Sequence, residues 1–550
     1  MAKKEKKEGI SQASKSKKIS FFSAILVVMG SSIGAGIFFK SKSVLDNSQN
    51  SLILAIFCWI IAAFSVIAMA LALIEISSAR NDNLSLLGWT KVFNSRTTFK
   101  ASKNFMFYIY LPLTYFFMPL YVIMSLQDGI GALVNANMSP YNFGTPVDWL
   151  IWTIISIAIS VYFIYVSGIS SKVGNIQNKI VTYIKFLPLA FVAIMGFVLV
   201  GMNAGGWNDV SIGVRKPIGD LADLAAGGSL SSFAPGLGMF LAISAIFFAY
   251  DGFYVAAGIQ SEMEEPKKTP MAILLGLVFT TVIYLIIAIS MSINGGSFSK
   301  MLIYMIDVMQ DTGRILFGII NIMIAIGVLG IINGYAMWTS RFTEDLIKEG
   351  ELPFSIKYKD KLNENKPKVG IMYSFVITIP IVLVFTLIGA LAYIDNYGTS
   401  YGSGMGKLYT FADLMGTWTA LFTFGFITAA IYGGIKNRKT KKVQTDQKSY
   451  FVPMAIVAVI IVGLALTVTI LIPILDLLLI AQLDQAAVEA PEVEGVFVDI
   501  IVSRVMLVIT LIIFIALSYG TTLIEDRINI KKFGSIEKYE AWQKQNFIVS

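Results

Sequence analysis

Two hydrophobic runs of the chain are interrupted by residues that could bind a polar ligand. In the first run, the segment Gly30–Gly36 reads GSSIGAG and holds three glycines and two serines. Each glycine weakens a helix by about 1 kcal/mol relative to alanine, and backbone groups freed by a break find no hydrogen-bonding partners in lipid. The segment therefore predicts either an unwound stretch whose backbone binds a ligand or a seam of close helix packing, which small residues also favour.

Two ionisable residues lie within other apolar runs. Asp251 stands between the sequence FFAY and Gly252. A charge inside a membrane span costs at least about 2.5 kcal/mol, so Asp251 is a candidate functional residue. Its structural alternative is a carboxyl that is protonated or that caps the ends of a helix. Lys185 lies about one and a half helical turns into its run, so its ammonium could also extend to the membrane interface.

The composition indicates an integral membrane protein. Hydrophobic residues make up 56% of the 550 residues and charged residues only 14%, whereas soluble proteins carry roughly 25% charged residues. Hydrophobic runs recur between Phe21 and Thr522, and each is long enough to cross a hydrocarbon core of about 30 Å as a helix. The predicted fold class is therefore an all-α membrane protein.

The same composition excludes several kinds of site. The chain has no histidine and one cysteine, Cys58. Zinc sites built from His and Cys and nucleophile systems of the Ser-His or Cys-His type are therefore excluded, as is an intramolecular disulfide. We predict no catalytic residue, no metal site, no cofactor and no nucleic-acid partner; the net charge of +8 reflects membrane topology instead.

The apolar runs predict twelve membrane-spanning helices. They are Phe21–Phe39, Ser51–Ile76, Phe105–Met124, Trp149–Ser167, Ile180–Gly201, Gly238–Gly258, Met271–Ile293, Ile315–Trp338, Ile371–Tyr393, Leu408–Ile435, Phe451–Ile480 and Ile501–Thr521. If the N-terminus is cytoplasmic, 34 of the 43 Lys and Arg residues fall inside, eight fall outside and Lys185 lies within a span. This asymmetry predicts a multi-pass protein of the cytoplasmic membrane with both termini in the cytoplasm.

The interrupted spans are the first and the sixth, an offset of five that predicts two inverted five-helix repeats followed by two trailing helices. The predicted parts are a basic cytoplasmic tail (1–20), the first repeat (21–201), an outer loop (202–237), the second repeat (238–435), two spans with an acidic outer loop (436–522) and a cytoplasmic tail (523–550). In a broken helix, free N–H groups suit a carboxylate and free carbonyl groups suit an ammonium. The two breaks together predict a site for a zwitterion.

Several segments resemble one family of transporters. Gly30–Phe38 is similar to the first-span signature of the amino acid–polyamine–organocation permeases. Phe247–Phe253, followed by Ser261–Pro270, resembles the sixth span of that family and its next cytoplasmic motif. Weaker likenesses are Glu75 and the segment Ser340–Pro353. The resemblance covers residues 21 to 435 and implies secondary transport of amino acids by alternating access.

The resemblance also implies roles for individual residues. The N–H groups around Ala35 and Gly36 would hold the substrate carboxylate, and the carbonyl groups of Ser32, Phe248 and Asp251 would hold the amino group. Phe248 would be the aromatic gate over the bound substrate. The candidate substrate-binding residues are Ser31, Ser32, Ile33, Gly34, Ala35, Gly36, Phe248, Ala249, Asp251 and Gly252.

The coupling mechanism and the substrate stay open at this point. By the resemblance, the Lys185 ammonium would bridge spans one and five in place of a sodium ion, which implies sodium-independent transport coupled to protons or to exchange. Asp251 could favour cationic substrates, could titrate during transport or could cap the broken helix. The alternative within transport is an antiporter for cationic amino acids or polyamines. A membrane-embedded enzyme would need a cluster of catalytic residues, and a sensor would need a soluble signalling domain; the sequence indicates neither.

Overall fold

The hydrophobic runs fold as helices throughout the part of the chain that the computed structural model describes, which is residues 20–34, 36–80, 84–134, 139–204, 225–233, 235–254, 263–363, 366–488 and 495–547. The first eight α-helices are α1 (Phe21–Ser32), α2 (Gly36–Asn47), α3 (Leu52–Ala79), α4 (Leu86–Phe93), α5 (Arg96–Phe105), α6 (Leu111–Val134), α7 (Asp148–Ile169) and α8 (Ser171–Gly201). A π-helical turn, Met106–Tyr110, joins α5 to α6.

The second half of the chain continues in the same way. Its helices are α9 (Leu230–Phe233), α10 (Pro235–Ala249), α11 (Thr269–Ser292), α12 (Phe298–Met309), α13 (Asp311–Lys348), α14 (Ser355–Tyr358), α15 (Lys368–Leu391), α16 (Met405–Thr440), α17 (Phe451–Leu478), α18 (Gln485–Val488), α19 (Val496–Ile515), α20 (Thr521–Phe533) and α21 (Ile536–Asn546). A second π-helical turn, Ala516–Gly520, joins α19 to α20.

Serine side chains fix where several of these helices begin. The hydroxyl oxygens of Ser20, Ser51, Ser95 and Ser170 each accept a hydrogen bond from the backbone N–H three residues later. Such N-caps satisfy one of the four N–H groups that a helix leaves free at its start. The boundaries of α1, α3, α5 and α8 therefore follow from local sequence.

Helices coincide with all twelve predicted spans within the described residues, but not all of them are long enough to cross a membrane. Ten are long and apolar enough, and α1 and α2 form an additional pair that is bent by 60°. The 15 residues of α10 extend about 22 Å, less than the roughly 30 Å of a hydrocarbon core. The architecture is that of a multi-pass membrane protein, while the number twelve and the inverted repeats stay predictions.

The two interrupted spans pack against each other in the interior. Helix α2 contacts α10, α1 contacts α11, and α13 packs along α6 and α8. The largest buried side chains include Trp59, Tyr115 and Tyr284, whereas Phe64 and Tyr183 are exposed on the surface. Exposed apolar side chains on long helices are expected where the solvent is lipid.

The chain continues beyond the last predicted span as two further helices. Helix α20 continues the last span to Phe533, and α21 docks on the segment that follows α13. The Gln543 side-chain amide donates hydrogen bonds to the Glu349 carbonyl (2.9 Å) and to the Glu351 carboxylate (3.2 Å). Tertiary contacts of this kind leave no periodic signal in a sequence.

Candidate substrate site

The first span breaks where the glycine-rich segment predicted. Helix α1 ends at Ser32, Ile33 is extended, and α2 begins at Gly36. A β-carbon on Gly36 would lie 2.8 Å from the Ala249 Cα atom, so only glycine allows α2 to approach α10 this closely. Close packing and unwinding, the two alternatives for this segment, therefore occur side by side. Ala35 lies outside the described residues.

The sixth span breaks two residues before Asp251, its predicted polar position. Helix α10 ends at Ala249, and a turn follows in which Gly252 adopts a φ of +98°. A β-carbon on Gly252 would lie 2.9 Å from the Ser31 carbonyl oxygen. Glycine is needed here both for the left-handed backbone and for the approach to the first break.

One tyrosine of α11 connects the two breaks. The Tyr284 hydroxyl lies 2.8 Å from the Ser32 carbonyl oxygen and 2.9 Å from the Ala249 carbonyl oxygen, and it accepts a hydrogen bond from the Gly34 N–H at 3.2 Å. The side chain is fully buried. Sequence reasoning missed Tyr284, because a tyrosine in an apolar run is usually a core residue.

A cavity of about 630 Å³ lies at the breaks. The predicted residues that line it are Ser31, Ile33, Gly34, Gly36, Phe248, Ala249, Asp251, Gly252 and Lys185. Ser32 is fully buried and lies outside the lining; its carbonyl group faces Tyr284 instead. The bend after Ser32 turns Ser31, and not Ser32, toward the cavity. The sequence pattern does not give the direction of this bend.

Lys185 lies against the end of α1. Its ammonium is 3.3 Å from the Gly30 carbonyl oxygen and 3.5 Å from the Ile33 carbonyl oxygen. Carbonyl groups at a helix C-terminus lack intrahelical partners and carry partial negative charge, so they stabilise a cation. The side chain therefore joins α8 to the first break rather than extending to the membrane interface.

Asp251 lies in an aromatic wall of the cavity. One carboxylate oxygen accepts a hydrogen bond from the Tyr110 hydroxyl at 3.0 Å, and the other accepts one from the Gly252 N–H at 3.0 Å. The Tyr254 hydroxyl is 3.5 Å from that of Tyr110, and Tyr335 also lines the cavity. The carboxylate therefore lies in the turn after α10, bonded to the backbone of that turn, and it faces the cavity.

Phe248 is held between three helices. Its ring lies 5.6 Å from the ring of Phe117 and 5.9 Å from that of Tyr121, both on α6. A β-carbon on Gly416 of α16 would lie 3.0 Å from the Phe248 ring, and one on Gly36 would lie 3.2 Å from it. The two glycines leave the space that the ring occupies.

The lining of the cavity continues from the breaks toward one end of the bundle. It includes Leu84 and Leu86 between α3 and α5, Asn178 near the start of α8, and Trp338 near the end of α13. Within the described residues, no group of three or more His, Cys, Asp or Glu residues is placed to hold a metal ion. The arrangement can bind a small polar molecule through backbone groups, one ammonium and one carboxylate.

Comparisons with known proteins identify the family of the chain. Residues 19–477 match the family model described as amino acid permease. A protein of Mycoplasma pneumoniae described as uncharacterized is 48% identical over 96% of this chain and 98% of its own length. The serine/threonine exchanger SteT of Bacillus subtilis is 24% identical over 62% of this chain and 70% of its own length. The human b(0,+)-type amino acid transporter 1 is 21% identical over 66% of this chain and 70% of its own length. The match to the family model spans most of the chain, and the chain belongs to the amino acid permease family.

Proposed function

We propose that this protein carries amino acids across the cytoplasmic membrane by alternating access, without sodium and with coupling to protons or to exchange. The observation that supports this function best is the cavity between two helix breaks, one of which ends at the N-terminus of α2. Backbone groups freed at such breaks bind both ends of a zwitterion. Both termini would be cytoplasmic, so the cavity would extend toward the cytoplasm.

In the proposed binding mode, the substrate carboxylate lies at the start of α2. The N–H of Gly36 begins this 12-residue helix, where free N–H groups and the helix dipole favour an anion. The amino group would lie near the carbonyl oxygens of Phe248 and Asp251. The Phe248 carbonyl already accepts a hydrogen bond from the Asp251 N–H at 3.2 Å, and its second lone pair remains for the ligand.

Lys185 supports the sodium-independent part of the proposal. Its ammonium lies beside the carbonyl oxygens of Gly30 and Ile33, at the end of α1. A metal cation at this place would need the same oxygens as ligands, because cations such as Na⁺ bind at unwound carbonyls and helix C-termini. The tethered ammonium therefore replaces a mobile ion.

Uptake into proteoliposomes tests the proposed function. Radiolabelled amino acids would be offered with sodium or choline outside, with or without a pH gradient, and with or without internal amino acid. We expect uptake that is equal in sodium and choline and that rises with a pH gradient or with internal substrate. Strict sodium dependence would reject the coupling proposal, and no uptake of any amino acid or polyamine by folded protein would reject the transport function.

A second candidate function is antiport of cationic amino acids or polyamines. The observation that favours it is Asp251, whose carboxylate faces the cavity among Tyr110, Tyr254 and Tyr335. A carboxylate surrounded by aromatic rings suits an ammonium or guanidinium group. Inhibition of radiolabelled uptake distinguishes the two candidate functions. Unlabelled lysine, ornithine or putrescine would be compared as competitors with unlabelled serine or leucine. Asp251→Asn should weaken cationic competitors at least 10-fold more than neutral ones if this candidate is correct.

A further inference from the structure

The helix that follows the last predicted span has an exposed face that is both apolar and basic. On α20, the side chains of Leu523, Ile524 and Ile528 are exposed by 65%, 61% and 60%. Arg527 lies four residues after Leu523, and Lys531 lies four residues after Arg527, so both exposed basic side chains share this side of the helix. These five residues form the boundary face.

The opposite side of α20 holds the helix against the bundle. A Glu525 carboxylate oxygen lies 3.0 Å from the Lys103 ammonium on α5, and an Asp526 carboxylate oxygen lies 2.6 Å from the Arg96 guanidinium. Glu525 and Asp526 are the two acidic residues of α20. Since both pair with α5, the boundary face carries positive charge only.

The length of the last helix places the boundary face at the membrane surface. Val496–Phe533 is a continuous helical segment of 38 residues, which extends about 57 Å at about 1.5 Å per residue. A hydrocarbon core is about 30 Å thick, and the bilayer with its headgroup layers is about 40–45 Å thick. With the predicted span Ile501–Thr521 in the core, α20 passes through the headgroup layer.

Neither water nor lipid tails alone suit the boundary face. Its three branched apolar side chains would be hydrated in water, and its two charged side chains would lose their hydration in hydrocarbon. The boundary between acyl chains and headgroups accommodates both kinds, because the apolar side chains reach the acyl chains while the long basic side chains extend to the headgroups. Basic residues at this depth favour lipids whose headgroups carry a net negative charge.

The boundary face also continues a surface that faces lipid. Ile512 on α19 lies within the last predicted span and is 58% exposed, and Tyr519 is 47% exposed. Ile512, Tyr519 and Leu523 follow one another at spacings of seven and four residues, so they lie along one side of the helix. Tyrosine is enriched where a span meets the headgroups. The lipid-facing side of the last span therefore runs without interruption into the boundary face.

A second exposed apolar residue lies at a similar depth. Phe354, just before α14, is 73% exposed and adopts a φ of +62°, a left-handed conformation that is unusual for a bulky residue. The neighbouring Pro353 carbonyl accepts a hydrogen bond from the hydroxyl of Tyr373, the third residue of the ninth predicted span. An aromatic ring exposed at the end of a span is typical of contact with the membrane interface.

We propose that the boundary face of α20 binds anionic phospholipids of the adjacent leaflet, with its two basic residues on the headgroups and its three apolar residues on the acyl chains. With both termini in the cytoplasm, as predicted, this is the inner leaflet. Bound lipid holds α20 against α5 and thereby stabilises the ion pairs of Glu525 and Asp526. The inference goes beyond the proposed transport and does not depend on the substrate.

Quenching by labelled lipids tests the proposal. Cys58, the one cysteine of the chain, is buried and would be replaced by Cys58→Ser. Ile530→Cys beside the boundary face and Ile512→Cys in the last span, each in a separate protein, would carry the fluorophore bimane. The full chain would be placed in phosphatidylcholine nanodiscs with a small fraction of nitroxide-labelled lipid. The labelled lipid would be phosphatidylglycerol or phosphatidylcholine with the same labelled acyl chain, so that only the headgroup differs.

The expected result is selective quenching at the first reporter. Phosphatidylglycerol should quench Ile530→Cys about 3-fold more than phosphatidylcholine does, and high salt should reduce this ratio. The two lipids should quench Ile512→Cys equally. The variant Arg527→Gln/Lys531→Gln should bring the ratio at Ile530→Cys close to that at Ile512→Cys.

A matched control removes two charges elsewhere. Lys441→Gln/Lys442→Gln, which replaces two exposed lysines after α16, should leave the ratio at Ile530→Cys unchanged.

A second measurement tests the stabilising effect. Phosphatidylglycerol added to the protein in detergent should raise the midpoint temperature of unfolding by a few degrees, because a ligand that binds the folded state stabilises it. The increase should be at most half as large in Arg527→Gln/Lys531→Gln. An equal increase in both proteins would mean that the stabilising lipid binds elsewhere.

Other outcomes would overturn the proposal. Equal quenching of Ile530→Cys by both lipids would mean that the face does not select anionic lipid. An absence of quenching there, with normal quenching of Ile512→Cys, would mean that the face lies in water or against another protein. A ratio that survives the loss of both basic residues would also contradict the assignment. Failure of amino acid uptake would count against the proposed function and not against these measurements.

Discussion

The two ends of the bundle hold their charges in different ways. At one end, a single ion pair, Lys40 and Asp413, joins α2 to α16, and both side chains are largely buried. At the other end, single carboxylates accept from several cations: Glu349 accepts from Arg80 and Lys91, each at 2.8 Å. A single pair separates when two helices move apart, whereas a branched network keeps some contacts whichever partner leaves.

The branched network also ties in the C-terminal helix. Glu351 accepts from Lys100 at 2.6 Å and from the Gln543 amide at 3.2 Å, and its carbonyl accepts from Lys103 at 3.0 Å. Burial alone would raise the pKa of the Glu351 carboxyl, but the nearby Lys100 and Lys103 lower it below its ordinary value of 4.5. One end is therefore joined by a single ion pair, whereas at the other end a shared network holds α5, α21 and the segment after α13 together.

The largest expected effect lies between the two ends, at Gly36. Gly36→Leu should weaken amino acid binding at least 100-fold, because even a β-carbon would lie 2.8 Å from the Ala249 Cα atom. Calorimetry or scintillation proximity binding with purified protein measures the loss. Gly30→Ala is the matched control: a β-carbon there meets no atom within 4 Å, and binding should stay within about 2-fold. Unchanged binding by Gly36→Leu would contradict the proposed carboxylate position.

The branched network should respond strongly to loss of a carboxylate. Glu351→Gln leaves the buried Lys100 and Lys103 with fewer counter-charges, and breaking a buried pair costs about 3–5 kcal/mol. The midpoint temperature of unfolding in detergent should therefore fall by several degrees, as measured by intrinsic fluorescence. The change should be smaller in Gln543→Ala, which removes a neutral donor. A stable Glu351→Gln protein would mean that the network contributes little to holding this end together.

Acid should weaken the same network. Because the pKa of folded Glu351 is lowered, the carboxylate stabilises the protein at pH values above 4.5, and this contribution is lost as the pH falls through the lowered value. The difference in midpoint temperature between the native protein and Glu351→Gln should accordingly shrink below pH 4.5. A difference that stays constant from pH 7 to pH 3.5 would contradict the assignment.

The smallest effect is expected for an exposed ion pair that belongs neither to the buried pair nor to the branched network. Lys42 and Asp46 lie 2.6 Å apart on α2, but their side chains are 38% and 48% exposed. Exposed pairs contribute about 0–1 kcal/mol, so Asp46→Asn should leave the midpoint temperature of unfolding nearly unchanged. A fall of several degrees would show that this pair stabilises the protein despite its exposure.

The sequence predicted the parts of the site that depend on local composition. Glycines at Gly34 and Gly36 mark the first break, and Asp251 marks the second, because each conflicts with an uninterrupted helix. Lys185 stood out as a charge deep in an apolar run. Asp413 could have been found by the same rule, since it lies within the predicted tenth span.

Other parts depend on tertiary contacts and were not predictable in this way. A lysine at the end of a span, such as Lys40, normally indicates topology, and only its contact with α16 reveals a buried role. Tyr284 resembles any core aromatic until the two breaks meet at its hydroxyl group. The polar final turns of α13, from Thr339 to Lys348, lie beyond the predicted eighth span, which ends at Trp338, because polar residues at a helix end carry no apolar periodicity.

Tyr284 has one further consequence. Its hydroxyl group has a single hydrogen, which lies within reach of two carbonyl oxygens, one from Ser32 at the first break and one from Ala249 at the second. When the hydrogen points to the Ser32 oxygen, the oxygen of Ala249, a residue of the cavity lining, is left to an incoming ammonium group. The two half-helices therefore compete for one proton, and a ligand that supplies its own donor would end that competition.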